Sequence, residues 1–405
     1  MRVVICGAGI GGLTLAHGLT GLAEVVVLER DASASDTGGY RISINDDACQ
    51  ALRQVLPSGL FDEIREVSET GNAFVHFTIA DSRLRPIIVA REESGLDRVL
   101  AQRQVLRILL ARDLDPRIRF ASPVRAVSED GAAAAVRLTD GSVLEADLVV
   151  AADGATSTVV ASRAGGSATR DLGLTGLAGW APLGDTEPPA FLRGGPALAV
   201  AADGTGVFLS RFAPPSRPVA DPQISTLLGR PALIWGTITC ANRVPRAFSS
   251  TPEELVAQAE ALLDGWSPWL TDRVHHSRPE RTAAFRFRAA DPATLIDTWP
   301  SGRVTALGDA IHAMPPTGGR GASTAICDAA DLTAAIRAHL RGAPLDQVLA
   351  TYYRTIAPRA RAAIRESLGP VRAIKVLSHR PVQLLATPAL ALAGAYGARR
   401  HAHLS

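Results

Sequence analysis

Lysine is nearly absent from this chain of 405 residues. Lys375 is the only one, so almost all of the 42 basic residues are arginine, which reads as a coding bias rather than as chemistry. Cysteine is sparse as well: Cys6, Cys49, Cys240 and Cys327 are scattered, with no CxxC pair. That excludes a disulfide scaffold and a zinc site, and suits reduced core cysteines in a cytosolic protein. Net charge is only +2, which removes any overall electrostatic reason to expect nucleic acid or an anionic membrane as partner. No long apolar run is present, because Pro388, Gly394 and Gly397 interrupt the stretch around Leu384 to Ala398. It falls short of the ~20 residues that cross a bilayer. Met1 leads directly into an apolar segment without a signal-peptide pattern, so the expectation is a soluble, cytoplasmic protein.

What is present describes an ordinary globular chain, with 47% hydrophobic and 20% charged residues. Its length suggests two or three domains at ~150 residues each, and such a chain buries roughly three quarters of its unfolded surface without staples. There is no internal repeat and no low-complexity linker. The lack of a linker favours a discontinuous domain built from separated stretches.

Val3 to Cys6 is an unbroken apolar run of the kind found in strands covered on both faces. Leu13, Leu15, Ala16 and Leu19 then fall at helical spacing, and Glu24 to Leu28 is a second apolar run. The order is β-loop-α-β, as in nucleotide-binding folds. Asn45 is placed to cap a helix that Pro57 stops, and a further helix is expected from about Asp97 to Leu114. Two Asp-Gly turns between Val124 and Ala152 predict a three-stranded meander. Strands are expected at Leu198 to Ala201, Gly206 to Phe212, Ala232 to Cys240, Ala283 to Arg288 and Arg303 to Leu307. Helices are expected at Pro252 to Leu263, up to about Leu340, and through most of Leu345 to Ala398.

Four motifs bear on chemistry. Gly7-Ala8-Gly9-Ile10-Gly11-Gly12 joins a strand to a helix. Gly7 permits the tight turn, Gly9 lets a pyrophosphate approach the backbone, and Gly12 lets helix and strand pack closely. Glu29 follows at the end of the second strand, where a carboxylate accepts from ribose hydroxyls. This points to dinucleotide binding without separating FAD from NAD. Arg103 opens an amphipathic helix, and taken alone it is a solvated charge. Asp153-Gly154 ends the apolar run Leu148 to Ala151, and taken alone it is a turn. The segment from Ala306 to Ser323 delivers Asp309 from a buried strand, then a Pro-Gly loop opens a long helix. Its Asp can accept from a polyol hydroxyl, and the helix start offers N–H groups to an electron-rich ring edge.

Together, and in this order from residue 3 to about 335, the motifs resemble the FAD-dependent aromatic hydroxylases (group A flavin monooxygenases, p-hydroxybenzoate hydroxylase fold). The resemblance implies a discontinuous Rossmann-like FAD-binding α/β domain (1–65, 95–172 and 300–340). It also implies an inserted mixed-sheet substrate domain (66–94 and 173–299) and a helical C-terminal segment (341–405). Gly7, Gly9, Gly11 and Gly12 would hold the pyrophosphate, with Glu29 and Arg30 at the adenosine end. Arg103 would reach the phosphate and ribityl region, which reverses its isolated reading, and Asp309 would bind the ribityl chain. Pro316, Gly319, Gly321 and Ala322 would line the isoalloxazine, and Arg41 and Val124 join the cofactor set. Asp153 matches a motif associated with both FAD and NAD(P)H. Three residues depart from the usual pattern: Arg320, Ser323 and Cys327 stand where Gln, Asn and Glu are usual. Arg320 then places its charge near the flavin, or points to solvent while its backbone serves. The distance from Ser157 to Arg163 weakens the NAD(P)H reading of the Asp153 motif. There is no tryptophan-rich halogenase signature, no second GxGxxG and no thioredoxin-like extension, as in compact natural-product members.

The implied chemistry is reduction of FAD by NADH or NADPH, addition of O2 to give a C4a-hydroperoxyflavin, and oxygen transfer to a small organic substrate, aromatic or polyketide-like. Hydroxylation, epoxidation and Baeyer–Villiger insertion all fit. The cofactor carries the hard step, so no catalytic triad and no metal are expected. Substrate contacts are sought in the strand-rich segment: Phe208 or Phe212, Arg211, Trp235, and Phe285 or Phe287, with core packing as the plainer role for the aromatics. His76 and His312 read as satisfied structural histidines, and His401 and His403 as a tail. Two rivals are a flavin dehydrogenase or reductase on the same fold and a non-catalytic flavin-binding partner protein. Substrate identity and oligomeric state are not legible.

Overall fold

The computed structural model describes residues 1–39, 41–71, 75–91, 97–131, 133–291 and 299–400; His401 and His403 lie outside them. Val3, Val4, Ile5 and Cys6 are completely buried, and the strand Arg2–Cys6 accordingly takes the centre of a five-stranded parallel sheet. The order is Val304–Ala306, Leu148–Ala151, Arg2–Cys6, Glu24–Leu28, Ile118–Arg119. Every pairing is parallel, which requires cover on both faces and explains the unbroken apolar runs. The helix Ile10–Leu19 packs along one face with all ten residues buried.

The chain divides into two units. The first comprises Met1–Val67, Asp97–Arg170 and Arg288–Leu368, and holds the parallel sheet. It also holds the antiparallel meander Val124–Glu129, Ala134–Leu138, Val143–Ala146. The fourth segment of that expected alternating stretch, Leu148–Ala151, belongs to the parallel sheet instead. The Asn45 side chain caps the helix Asp46–Val55 by accepting from Ala48 N–H.

The helix expected from about Asp97 is shorter than its periodicity suggests. Val99–Gln102 is a strand antiparallel to Arg41–Ile44, and the helix runs from Arg103 to Arg112. Gln102 closes the boundary, its side-chain oxygen accepting from Val105 N–H at 2.7 Å. With this N-cap closing the helix, Val99–Gln102 is left to pair with a neighbouring strand.

The second unit comprises Ser68–Leu96, Asp171–Phe287 and Gly369–Ser405. Its seven-stranded sheet runs Ala283–Ala290, Thr169–Pro182, Ala232–Cys240, Gly206–Phe212, Ala197–Val200, His76–Asp81, Pro86–Arg91. The pairing of Ala197–Val200 with His76–Asp81 is parallel while its other neighbours are antiparallel, so the sheet is mixed. One face packs on the helices Pro252–Leu262 and Pro268–His275 through Leu177, Leu209, Leu233, Trp235, Leu255 and Leu270. The C-terminal region forms the helices Leu345–Leu377 and Arg380–Arg400. The stripe Tyr353, Ile356, Ala360, Ile364, Leu368 and Val371 is buried throughout.

Candidate functional site

The glycine loop is built by close approach of backbones. A Cβ on Gly7, at φ +115°, would stand 2.3 Å from Ala152 O, and one on Gly12 would stand 2.1 Å from Gly7 O. Both positions exclude any side chain. At Gly9 the nearest atom would be 4.0 Å away. Its absent side chain therefore leaves open space in front of the backbone, at the N-cap of the Ile10–Leu19 helix, where first-turn N–H groups have no partner within the helix.

Glu29, at the end of the second strand, is buried beneath this loop. Its Oε2 accepts from Ala8 N–H at 2.7 Å and its Oε1 from Asp31 N–H at 2.9 Å. Arg107 Nη2 lies 3.0 Å from the same Oε2. A carboxylate has about four acceptor sites, so Glu29 keeps capacity on Oε1 for one further donor. Arg30, its neighbour, turns a largely exposed side chain outward. Val124 opens the meander two residues after Ser122, whose N–H donates to Glu29 O at 2.7 Å.

Arg103 begins the Arg103–Arg112 helix and donates from Nη1 to Gly38 O. Gly39, at φ +100°, leaves room for it, because a Cβ there would lie 2.8 Å from Arg103 Cδ. Burial lowers the guanidinium pKa, as does neighbouring Arg107, while Asp309, Asp31 and Glu29 act the other way. Arg41 sits in the adjoining strand, its backbone opposite Gln102.

Asp309 follows Gly308 at the exit of the Val304–Ala306 strand. Surrounding protein raises its carboxyl pKa, against the pull of His312 and Arg103. The residue is nevertheless exposed to solvent. Among the described residues none donates a hydrogen bond to its carboxylate. Gly321, at the start of the Gly321–Leu340 helix, has Asp309 Oδ1 3.6 Å from where a Cβ would be. Gly319, at φ +61°, has open space in front of it, and Ala322 is half-buried. Pro316 starts a short 3-10 turn and is exposed. Gly11 ties this loop to the first helix, where a Cβ would meet Leu307 Cδ1 at 2.8 Å.

Asp153 has a local task. Its Oδ1 accepts from Ser157 Oγ, and its Oδ2 from Thr158 N–H at 2.8 Å and Val159 N–H at 3.2 Å. It thus caps the helix Thr158–Ala164, and burial raises its pKa. Arg320 pairs with Glu366 at 3.6 Å. Ser323 donates to Ser43 O at 3.0 Å and accepts from Asn45 N–H at 3.1 Å, joining the long helix to the Arg41–Ile44 strand.

Sequence reasoning missed the support under Asp309. His312 and Asp328 are fully buried and joined through Nε2 and Oδ2. Asp328 also accepts from Gly308 N–H at 3.1 Å and from Arg359 at 2.8 Å, and Arg359 bridges to Asp331 at 2.6 Å. Burial opposes the imidazolium, but Asp328 outweighs it and raises the His312 pKa. Burial likewise opposes the Asp328 carboxylate, and His312 with Arg359 lowers its pKa. The available signal was an Asp in a helix otherwise rich in alanine. For Arg107 it was a charge one residue from Leu106 on a buried helix face.

The substrate candidates are divided by their sheet. Trp235 lies opposite Gly179 and Leu209, so all three share the face packed on helices. Trp235 is fully buried, its ring over Gly179 and its indole N–H donating to Ser277 Oγ at 2.8 Å. Arg211, opposite Leu233, is on that face as well. Phe208 lies opposite Gly236 and Leu198 and is on the other face, as is Phe212 beside Trp180. Phe285 lies over Gly176 on this second face, 5.3 Å from the fully buried Phe287. These residues do not form one constellation. His76 is satisfied by Phe191 O at 2.9 Å.

The chain resembles known flavoproteins throughout. The family described as FAD binding domain matches residues 1–178 and 271–367. The chain is 28% identical over 377 residues to the dual O-methyltransferase/FAD-dependent monooxygenase elcB of Phaeosphaeria nodorum, covering 82% of this chain and 40% of that protein. It is 28% identical over 406 residues to the chloroplastic zeaxanthin epoxidase of Oryza sativa, covering 94% and 56%. It thus spans about half the length of these relatives. A protein of Photorhabdus luminescens assigned as an FAD containing monooxygenase superposes with a TM-score of 0.78 at 27% identity, over 93% of this chain and 98% of that one. Klebsiella pneumoniae HpxO, solved with FAD and uric acid, shares the fold with a TM-score of 0.74 at 20% identity, over 99% and 94%.

Proposed function

This chain belongs to the family described as FAD binding domain, and from that premise we propose that it is an FAD-dependent monooxygenase that oxygenates a small organic molecule at the expense of NADH or NADPH and O2. In the balanced reaction one oxygen atom enters the substrate and the other leaves as water, with two electrons from the nicotinamide. When bound, FAD supplies the electron transfer and oxygen activation.

The residues of the first unit suit that cofactor. The observation carrying the reading is the exposed Asp309 carboxylate, which accepts no hydrogen bond from a described residue and lies within electrostatic reach of Arg103. A chain of hydroxyls answers such a carboxylate. Gly9 leaves its backbone open to a pyrophosphate, Glu29 retains an acceptor for a ribose hydroxyl, and the open space at Gly319 accommodates a flat ring. In this reading Asp153 serves through its helix cap, and Arg320 serves through its backbone.

For the second unit we propose the face bearing Phe208, Phe212 and Phe285 as the source of substrate contacts, favouring an aromatic or polycyclic ligand. Trp235 and Phe287 then act as core, and Arg211 stands apart on the opposite face. The chain's task is to bind, orient and exclude water, because exposure of the activated oxygen to solvent wastes it.

The test is substrate-stimulated NAD(P)H oxidation by FAD-loaded protein, followed with an oxygen electrode and with mass spectrometry under isotopically labelled O2. One labelled oxygen in the product is expected. Turnover without label would identify a dehydrogenase, and no turnover across a broad aromatic and polyketide panel would identify a non-catalytic flavoprotein.

A further inference from the structure

The balanced charge of the whole chain conceals a one-sided region. From Ser367 to Ser405 there is no Asp or Glu, while Arg372, Lys375, Arg380, Arg399 and Arg400 all fall there. Arg372 and Lys375 are exposed, and neither forms an ion pair with a described residue.

Within this region the helix Arg380–Arg400 packs in the reverse of the usual sense. Toward its own unit it presents glycine. A Cβ on Gly397 would lie 2.0 Å from Pro86 O, and one on Gly394 would lie 2.3 Å from Asp81 Oδ2. Outward it presents large apolar residues: Leu384, Leu385, Leu392 and Tyr396 are 79%, 76%, 72% and 68% exposed. Leu385, Leu392 and Tyr396 follow one another at seven and four positions, a single helical face, and Leu384 flanks it.

We propose that this face docks on the surface of an anionic lipid bilayer. The leucines enter the headgroup boundary, Tyr396 places an amphipathic ring there, and the acid-free basic region meets the anionic headgroups. The helix lies on the bilayer rather than across it, since no helix among the described residues is long and apolar enough to cross. A second copy of the chain is the poorer occupant, because it would bring together two copies of a segment, 367–405, that carries basic residues and no acidic ones. The inference does not depend on the proposed activity.

The experiment is co-sedimentation of the full-length, FAD-loaded chain with vesicles of phosphatidylcholine alone and of roughly 3:1 phosphatidylcholine:phosphatidylglycerol. We expect about tenfold or greater preference for the anionic vesicles, weakening as salt rises. Leu385→Ser with Leu392→Ser abolishes binding, and Arg372→Gln with Lys375→Gln weakens it, each without change in thermal midpoint or flavin content. The proposal is overturned by equal, negligible sedimentation with both vesicles. It is also overturned by binding that survives both pairs of substitutions. A dimer in light scattering that the two serines dissociate, without vesicle binding, assigns the face to a second copy and overturns it too.

Discussion

Arg107 reaches from the Arg103–Arg112 helix to Glu29, placing Nη2 3.0 Å from Oε2, with side chains only 3% and 8% exposed. The same guanidinium donates from Nε to Ala8 O and from Nη1 to Asp31 Oδ2, each at 2.8 Å. Arg107 thus fixes the glycine loop and the end of the second strand relative to each other. Its role is positioning, since it leaves Oε1 of Glu29 with room for an incoming donor.

Arg107→Met removes the partner of a buried carboxylate, a loss of ~3–5 kcal/mol when one member of a buried pair is deleted. A large drop in thermal midpoint is expected, with flavin affinity falling as Glu29 loses its orientation. Arg107→Lys should recover part of both, and flavin fluorescence titration beside calorimetry reads the two effects.

The glycines of the loop separate folding from binding. Gly12→Ala drives a methyl group to 2.1 Å from Gly7 O, a backbone atom that cannot yield, so poor soluble expression or severe destabilisation follows. Gly9→Ala meets nothing closer than 4.0 Å. It should fold normally and bind FAD at least ~10-fold more weakly, because the new methyl occupies the approach to the pyrophosphate.

Asp309→Asn tests the polyol site. No hydrogen bond within the described residues is lost, so apo-protein stability should stay within ~0.5 kcal/mol of the parent. A charge-assisted hydrogen bond is worth ~1.5–3 kcal/mol, so FAD binding should weaken ~10-fold or more in equilibrium dialysis. An unchanged dissociation constant would remove Asp309 from the site.

The pair under Asp309 predicts a pH signature. The His312 pKa is raised in the folded chain, so its stabilisation is complete below the unfolded value of ~6.5 and fades as pH climbs through the folded value. The Asp328 pKa is lowered, so its contribution is present above ~3.9 and fades as pH falls through the folded value. His312→Gln should therefore cost most at mildly acidic pH and progressively less in alkaline buffer. Thermal midpoints of both proteins measured across that range give the comparison.

The sequence alone determined the local grammar. Unbroken apolar runs bounded by glycine pointed to covered parallel strands, which the sheet bears out, and the β-loop-α-β order around Gly7 to Gly12 was legible because turn geometry and periodicity are short-range properties. Tertiary structure decided everything that depends on distant partners. Val99–Gln102 became a strand because Arg41–Ile44 lay ready to pair with it, although its apolar spacing suited a helix. Arg107 and Asp328 looked like single charges on helices until folding buried them opposite Glu29 and His312. Phe208 and Trp235 looked like members of one set, yet pairing register put them on opposite faces of a sheet. Pairing register and buried-charge partnership join residues far apart in the chain, and no local pattern encodes which ones meet.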